Sequence, residues 1–268
     1  MNPAELAAIF ARIPLLRDFA VTDFTLTPLT GYTNHSIRIY NKEFDWVLRI
    51  PKSETGAWID RDAEAHNQTL AGELGIAPQP AWRDTGGLSL TPTLAASRAL
   101  TPADFSDPGR RERILTSLRR LHRSGLEFRG RVDLDQLLTR YFGLLASARQ
   151  DRYRSRLRQA QATLRRLSGR DLPYVASHND LVLENLLLGD DRLWLIDWEF
   201  SAMASPYWDL ATLCNAARLS SVQAAEFLHS YCADAPGMEE STLCDYRCLL
   251  QLLSDCWMNA FVPETTQS

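Results

Sequence analysis

Three side chains that carry oxygen atoms are spaced in a way that suits proton transfer and metal binding. The segment His178 to Asn185 has Asp180 two residues after the histidine and ends in an asparagine five residues further on. The apolar run Leu193 to Ile196 follows and is succeeded directly by Asp197. Asn185 and Asp197 offer the hard oxygen ligands that Mg²⁺ prefers, and phosphate oxygens of a substrate would complete the octahedron. Asp180 then remains free to accept the proton of a hydroxyl group.

A predicted hairpin positions the last of these side chains. Leu186–Leu188 and Leu193–Ile196 flank the turn residues Gly189, Asp190 and Asp191, a pattern typical of two paired strands. Around this hairpin the apolar residues recur with the period of a helix. Helices are predicted from Pro108 onward and over Leu134–Ala146, Leu157–Leu167, Trp208–Leu219, Val222–Tyr231 and Ser241–Asn259. The second half of the chain is therefore expected to be mainly helical.

The first part of the chain has a different pattern. β-rich segments separated by turn residues predict an antiparallel sheet, at Phe24–Pro28, Ser36–Tyr40, Trp46–Ile50 and Leu88–Leu94. Helical periodicity predicts a short helix over Ala4–Arg12 and a longer one over Asp60–Leu74, which ends at Gly75. The predicted fold class is α+β.

Composition and charge argue against several functional classes. The 268 residues are 45% apolar and 23% charged, values typical of a globular protein and not of a disordered or fibrous one. A net charge of −4 gives no electrostatic basis for binding nucleic acid. The arginine runs Arg110–Arg113 and Arg152–Arg158 are interpreted as solvated helix faces.

Cysteine usage indicates a reducing compartment, because the cysteines are odd in number and all lie in the last quarter of the chain. Cys244 and Cys248 are interpreted as core residues of a helix, since no second ligand pair accompanies them. The N-terminus lacks the basic start and apolar run of a signal peptide, and no apolar stretch approaches the roughly 18 residues that cross a bilayer. We therefore expect a cytoplasmic protein that does not associate with a membrane.

The run His178 to Asn185, with Leu195-Ile196-Asp197-Trp198-Glu199 after it, resembles the aminoglycoside phosphotransferase and choline kinase superfamily over most of the chain. This resemblance implies a bilobal protein-kinase-like fold, with a nucleotide-binding lobe at residues 1–94 and a helical lobe with the catalytic loop and acceptor site at residues 95–268. It also implies ATP and Mg²⁺ as cofactors. Asp180 would be the catalytic base, and Asn185 and Asp197 would bind the metal.

The resemblance assigns roles to further residues. Asp209, in Pro206-Tyr207-Trp208-Asp209, would brace the catalytic loop, and His178 would support that loop by packing and hydrogen bonding. A cation on the third strand would hold the α and β phosphates, and Arg49 stands there in place of the usual lysine. Glu64 on the following helix would pair with Arg49. The turn Thr30–Asn34 would cover the phosphates, although it has a single glycine.

The acceptor is expected to be a small cationic alcohol. The Ile-Asp-Trp-Glu form resembles the choline, ethanolamine and thiamine kinase branches. Aromatic and acidic residues of the second half form a tentative acceptor pocket, namely Trp198, Glu199, Tyr207, Trp208 and Trp257. Such a pocket favours a quaternary ammonium or thiazolium group through cation–π attraction.

Two alternatives remain open from the sequence. The acceptor could be an aminoglycoside or sugar hydroxyl, since Glu239, Glu240 and Asp245 offer carboxylates for a polycation. The chain could instead be a catalytically silent nucleotide-binding scaffold, in view of Arg49 and the glycine-poor turn. The choice between ATP and GTP and the oligomeric state are not determined by the sequence.

Overall fold

A computed structural model of the chain describes residues 2–29, 33–52, 58–233 and 237–261. The helices are α1 (Pro3–Arg12), α2 (Arg61–Glu73), α3 (Pro108–His122), α4 (Leu134–Gly143), α5 (Ser147–Ser168), α6 (Pro206–Ala216), α7 (Ser221–Tyr231) and α8 (Glu240–Phe261). The strands are β1 (Thr25–Leu29), β2 (Asn34–Tyr40), β3 (Asp45–Pro51), β4 (Trp82–Arg83), β5 (Ser89–Pro92), β6 (Arg98–Ala99), β7 (Val175–Ser177), β8 (Leu186–Leu188), β9 (Leu193–Leu195) and β10 (Ala202–Ala204).

The N-terminal part contains the predicted antiparallel sheet, in the order β1-β2-β3-β5-β4. Residues of β3 alternate between the two faces of the sheet. Leu48 is completely buried in a core with Phe10 of α1 and Leu90 of β5. Its neighbour Arg49 lies in register with Ser36 on β2 and Ser89 on β5 and points to the opposite face. The central strand of the sheet thus carries a cation toward the rest of the molecule.

Helix α2 presents a polar face where apolar residues would be expected. Its N-terminus is capped by Asp60, whose side chain accepts hydrogen bonds from the peptide N–H groups of Asp62 and Ala63. Glu64 and Asn67, one turn apart, are both buried. The amide of Asn67 bonds the backbone of Arg129 and Ser201 in the second half of the chain. This hydrogen bonding fixes α2 against the C-terminal part, with Glu64 facing the junction.

The C-terminal part is mainly helical, as predicted, and α6 and α8 pack side by side in its core. The predicted hairpin is formed by β8 and β9, with Leu186 opposite Leu195. Two pairings were not predicted: β7 pairs with β10 in a separate sheet, and β6 pairs with β8 at the edge of the hairpin. Strands of two or three residues are too short to display a period in the sequence.

The prediction that Cys244 and Cys248 are core residues is wrong, because both are exposed. Helix α8 buries the stripe Leu243, Tyr246 and Leu250, and the two cysteines lie beside that stripe. None of the described helices is both long and apolar enough to span a membrane. Thr30 to Tyr32 of the predicted phosphate-covering turn, and the tail Pro263–Ser268, lie outside the described residues.

Candidate active site

The loop that carries Asp180 leaves strand β7 at Ser177, where β7 is paired with β10. Asn179 then has a φ of 66°, in the left-handed region that asparagine tolerates better than most residues. The indole N–H of Trp208 donates to the carbonyl of Asn179 at 2.9 Å. The backbone just before Asp180 is therefore held by hydrogen bonds from α6.

Asp209 of α6 is the anchor of this loop. Its carboxylate accepts the peptide N–H of His178 at 2.9 Å and that of Asn179 at 2.8 Å. Nε2 of His122 lies 3.0 Å from the same carboxylate, and the side chain of Asp209 is completely buried. Burial alone would raise the pKa of Asp209, but the hydrogen bond and charge of His122 lower it. A buried, ionised aspartate with several donors fixes the loop rigidly.

His178 lies beside the loop as a structural side chain. It is completely buried, and its Nε2 lies 2.9 Å from the carbonyl oxygen of Ile196. Burial lowers the pKa of His178, so the ring is neutral near pH 7. A neutral ring must donate its Nε2–H to that carbonyl, because a carbonyl oxygen only accepts. His178 therefore joins the catalytic loop to the backbone preceding Asp197.

Asp180 and Asn185 are joined directly. Nδ2 of Asn185 donates to the backbone oxygen of Asp180 at 2.9 Å and to its Oδ2 at 3.1 Å. Burial raises the pKa of Asp180 to about 7, and the charges of Asp197 and Glu199 add to this effect. A carboxylate with a raised pKa is a stronger proton acceptor than an ordinary aspartate.

Asp197 is brought to Asn185 by the hairpin. The peptide N–H of Ile196 donates to the carbonyl of Asn185 at 3.0 Å, and the chain then turns at Asp197 with a φ of 64°. Burial raises the pKa of Asp197 to about 6, although the charge of Arg49 opposes the increase. The structure thus brings together Asp180, Asn185 and Asp197, the three residues that the spacing singled out.

Arg49 crosses from the sheet to this group. Its Nη1 donates to Oε1 of Glu64 at 2.5 Å, and its Nη2 donates to Oδ1 of Asp197 at 3.0 Å and to Oε2 of Glu199 at 2.6 Å. Burial would lower the pKa of Arg49, but the charges of Asp197, Glu64 and Glu199 raise it. The structure therefore forms the strand–helix ion pair predicted for Arg49 and Glu64.

The donor set at this point suits a magnesium ion. The amide nitrogen of Asn185 is committed to Asp180, which leaves Oδ1 of Asn185 as the atom available to a ligand. Within residues 2–29, 33–52, 58–233 and 237–261, neither this oxygen nor Oδ2 of Asp197 receives a hydrogen bond. An amide oxygen and a carboxylate oxygen are hard ligands, and Mg²⁺ takes few protein ligands together with phosphate oxygens.

The tentative acceptor pocket is not assembled in the structure. Trp198 is completely buried against His178 and Phe128. Tyr207 stacks on Tyr246, and its hydroxyl accepts a peptide N–H. Trp208, as described above, is buried and bonds the catalytic loop. These three rings are therefore part of the core.

The other two tentative acceptor residues lie elsewhere. Glu199 bonds Arg49 and accepts a hydrogen bond from Nδ2 of Asn34 at 3.1 Å, so it belongs to the charged cluster between the sheet and the catalytic loop. Trp257 is half-buried on α8, a helix that packs against α4. It remains a candidate for acceptor binding.

Two aromatic residues that the sequence did not single out, Tyr141 and Trp58, lie in contact with each other, and Tyr141 lies within reach of the charge of Asp180. Burial and the charge of Asp180 raise the pKa of Tyr141 to about 12, so this phenol on α4 is within electrostatic range of the carboxylate. The ring of Trp58 meets the ring of Tyr141 edge to face at 5.9 Å. The guanidinium of Arg140 lies 3.6 Å from the centre of the Trp58 ring. The sole signal in the sequence was the position of Trp58, just before the N-terminus of α2.

The chain is similar to known proteins in both sequence and structure. The model of a family described as the phosphotransferase enzyme family matches residues 25–241. Protein LicA of Haemophilus influenzae is 32% identical over 212 residues, which are 75% of this chain and 61% of that protein. The chain therefore spans about three fifths of the length of this curated relative.

Two solved structures share the fold. A choline/ethanolamine kinase family protein from Mesorhizobium loti superposes with a TM-score of 0.79 and 29% identity, over 96% of this chain and 85% of the other. Choline kinase LicA from Streptococcus pneumoniae superposes with a TM-score of 0.83 and 21% identity, over 98% of this chain and 92% of the other. The protein-kinase-like fold predicted from the sequence is thus confirmed.

Proposed function

We propose that this chain, which belongs to the phosphotransferase enzyme family, is a small-molecule kinase that transfers the γ-phosphoryl group of ATP to the hydroxyl of a small cationic metabolite of the choline, ethanolamine or thiamine class. The observation that carries this proposal is the aromatic pair Trp58 and Tyr141, of which Tyr141 lies within reach of the charge of Asp180. The guanidinium of Arg140 covers one face of Trp58, so an acceptor cation would have to bind the opposite face of the ring. The resemblance to a choline/ethanolamine kinase family protein adds support.

The proposed reaction is a direct, in-line transfer. Asp180 accepts the proton of the acceptor hydroxyl, a bond forms between that oxygen and the γ-phosphorus, the bond from this phosphorus to the β–γ bridging oxygen breaks, and ADP leaves. Asn185 and Asp197 would hold Mg²⁺, which neutralises charge on the phosphates. Arg49 would bind phosphate oxygens, and Glu64 would orient it. Positioning and charge neutralisation supply most of the rate acceleration.

The alternative of a polycationic acceptor is not favoured by the geometry. Glu239 pairs with Arg170 at 2.5 Å and Asp245 pairs with Arg166 at 2.7 Å, so these carboxylates are already neutralised by arginines of the same chain. A polycation would have to displace them. The scaffold alternative is disfavoured because Asp180, Asn185 and Asp197 lie together with their ligand oxygens available.

An acceptor panel tests the proposal. Consumption of Mg·ATP by the purified protein would be measured with choline, ethanolamine, thiamine, aminoglycosides and simple sugars, and the Asp180→Asn protein would serve as the inactive control. Turnover with one of the three cationic alcohols, lost in the variant, is the expected result. Turnover confined to aminoglycosides or sugars would refute the acceptor class, and ATP binding without any turnover would favour the scaffold.

Replacing Trp58 by alanine should weaken acceptor binding. A cation over a tryptophan face gains about 1–2 kcal/mol, so KM for the acceptor should rise about 5- to 30-fold, with KM for ATP unchanged. Steady-state kinetics with each substrate varied in turn measures both values. Trp194→Ala is the matched control, because Trp194 also has an arginine, Arg192, over its ring but lies on β9. An equal rise of acceptor KM in both variants would contradict a specific role for Trp58.

A further inference from the structure

Arg61, the first residue of α2, faces the same two glutamates as Arg49. Its Nη1 donates to Oε2 of Glu64 at 2.7 Å and lies 3.6 Å from Oε2 of Glu199. Arg49 bonds the other oxygen of Glu64 and the same oxygen of Glu199. The side chains of the two glutamates are 3% and 1% exposed, and that of Arg61 is 12% exposed. Two arginines and two glutamates thus form one buried cluster.

The charges of this cluster do not balance without Arg61. Arg49 contacts three carboxylates, those of Glu64, Glu199 and Asp197. A buried carboxylate is stable only when a cation or several donors compensate it. With Arg61 present, two arginines balance the two glutamates, and Asp197 remains available for a metal ion. Without Arg61, Arg49 would have to pair with both glutamates, and the further positive charge acting on Glu64 would be that of Arg83.

Each of the two arginines has a buried N–H donor that is not used within the cluster. Among the described residues, Nε of Arg49 and Nη2 of Arg61 are buried and have no hydrogen-bond partner. A buried donor without a partner is costly and therefore unusual in a folded protein. A phosphate oxygen that enters the cleft beside Asp197 would satisfy such a donor on Arg49. The cluster is therefore arranged for an anion that is still to bind.

The turn before β5 leaves room for Arg61. A Cβ atom on Gly87 would lie 2.8 Å from Cδ and Nε of Arg61, and the φ of Gly87 is 88°. The left-handed backbone favours glycine at this position, and any larger residue would also displace the Arg61 side chain. The turn thus holds the Arg61 side chain against the two glutamates.

We propose that Arg61 is a positioning residue for nucleotide binding: it neutralises Glu64 and Glu199 and thereby keeps Arg49 available for the phosphates. The inference rests on the proposed role of Arg49 in binding ATP. Arg61 would then affect the affinity for nucleotide through Arg49 and would leave the affinity for the acceptor unchanged.

Arg61→Gln is the first test. The dissociation constants of ADP and ATP, with and without Mg²⁺, would be measured by calorimetry on the whole chain in the absence of acceptor. We expect nucleotide binding to weaken about tenfold or more, with KM for ATP raised and KM for the acceptor unchanged. Arg61→Lys retains the charge and should recover most of the affinity. Arg38→Gln, which removes a half-exposed arginine paired with Asp45 on the same sheet, is the matched control.

The second test is compensation. In the Glu199→Gln protein a single glutamate remains, so Arg61→Gln should then have little further effect on nucleotide affinity. A double-mutant cycle measures this coupling. The proposal is overturned if Arg61→Gln leaves the dissociation constants unchanged, or if it costs the same affinity in both backgrounds. If the wild-type protein phosphorylated none of the acceptors, the proposed function would be contradicted. The proposal for Arg61 would still be tested, because nucleotide binding is measured in the absence of acceptor.

Discussion

Replacing Asp180 by asparagine is expected to lower kcat about 10³-fold, because the variant loses the group that accepts the hydroxyl proton. The substitution keeps the size of the side chain and leaves an oxygen to accept the hydrogen bond from Asn185. The loop should therefore retain its geometry. Asn185, Asp197 and Arg49 remain in place, so the dissociation constant of Mg·ATP should stay within about threefold of the wild-type value.

Single-turnover kinetics and nucleotide titration of the same preparation measure the two quantities separately. Asp191→Asn is the matched control, since Asp191 is an exposed aspartate at the tip of the nearby hairpin, where it pairs with Arg192. Its kcat should equal that of the wild type. If Asp180→Asn kept a kcat close to the wild-type value, Asp180 would not be the base. If the Asp180→Asn protein also lost nucleotide binding, the role of Asp180 would be structural.

The sequence predicted the part of the site that local spacing encodes. Asp180, Asn185 and Asp197 lie within one loop and hairpin, so their separation along the chain limits their separation in space. Arg49 and Glu64 were predicted as a pair because a strand and the following helix face each other in this fold. Most strands and helices lie where the periodicity of apolar residues predicted them, but α5 begins at Ser147, ten residues before the predicted start at Leu157. The strands that were not predicted have two or three residues.

The acceptor side could not be predicted in the same way. A tryptophan or tyrosine can fill a core or line a cleft, and residue type does not distinguish the two. Trp198 packs inward under His178, whereas Trp58, three residues before α2, meets Tyr141 of α4. The role of Arg61 could not be predicted for a related reason. Its position on α2 predicts contact with Glu64, but its proximity to Glu199 depends on how the two halves of the chain pack against each other.

Replacing Asp209 by alanine should destabilise the protein by about 3–5 kcal/mol, the usual effect of breaking a buried charged network. The peptide N–H groups of His178 and Asn179 and the ring of His122 would lose their acceptor in a completely buried site. Each buried donor left unsatisfied costs about 1–3 kcal/mol. The free energy of unfolding, from urea titration at pH 7, measures the loss.

Asp133→Ala is the matched control, because it separates the effect of burial on stability from the effect of the number of hydrogen bonds. Asp133 also accepts two peptide N–H groups, at the exposed N-terminus of α4, where water can replace it; its loss should cost about 1 kcal/mol. The pKa of Asp209 is lowered in the folded protein, so its contribution is present above the unfolded pKa of about 4 and is lost on acidification. The difference between wild type and Asp209→Ala should therefore narrow as the pH falls below about 4. Equal losses for the two alanine variants at pH 7 would show that Asp209 does not anchor the catalytic loop.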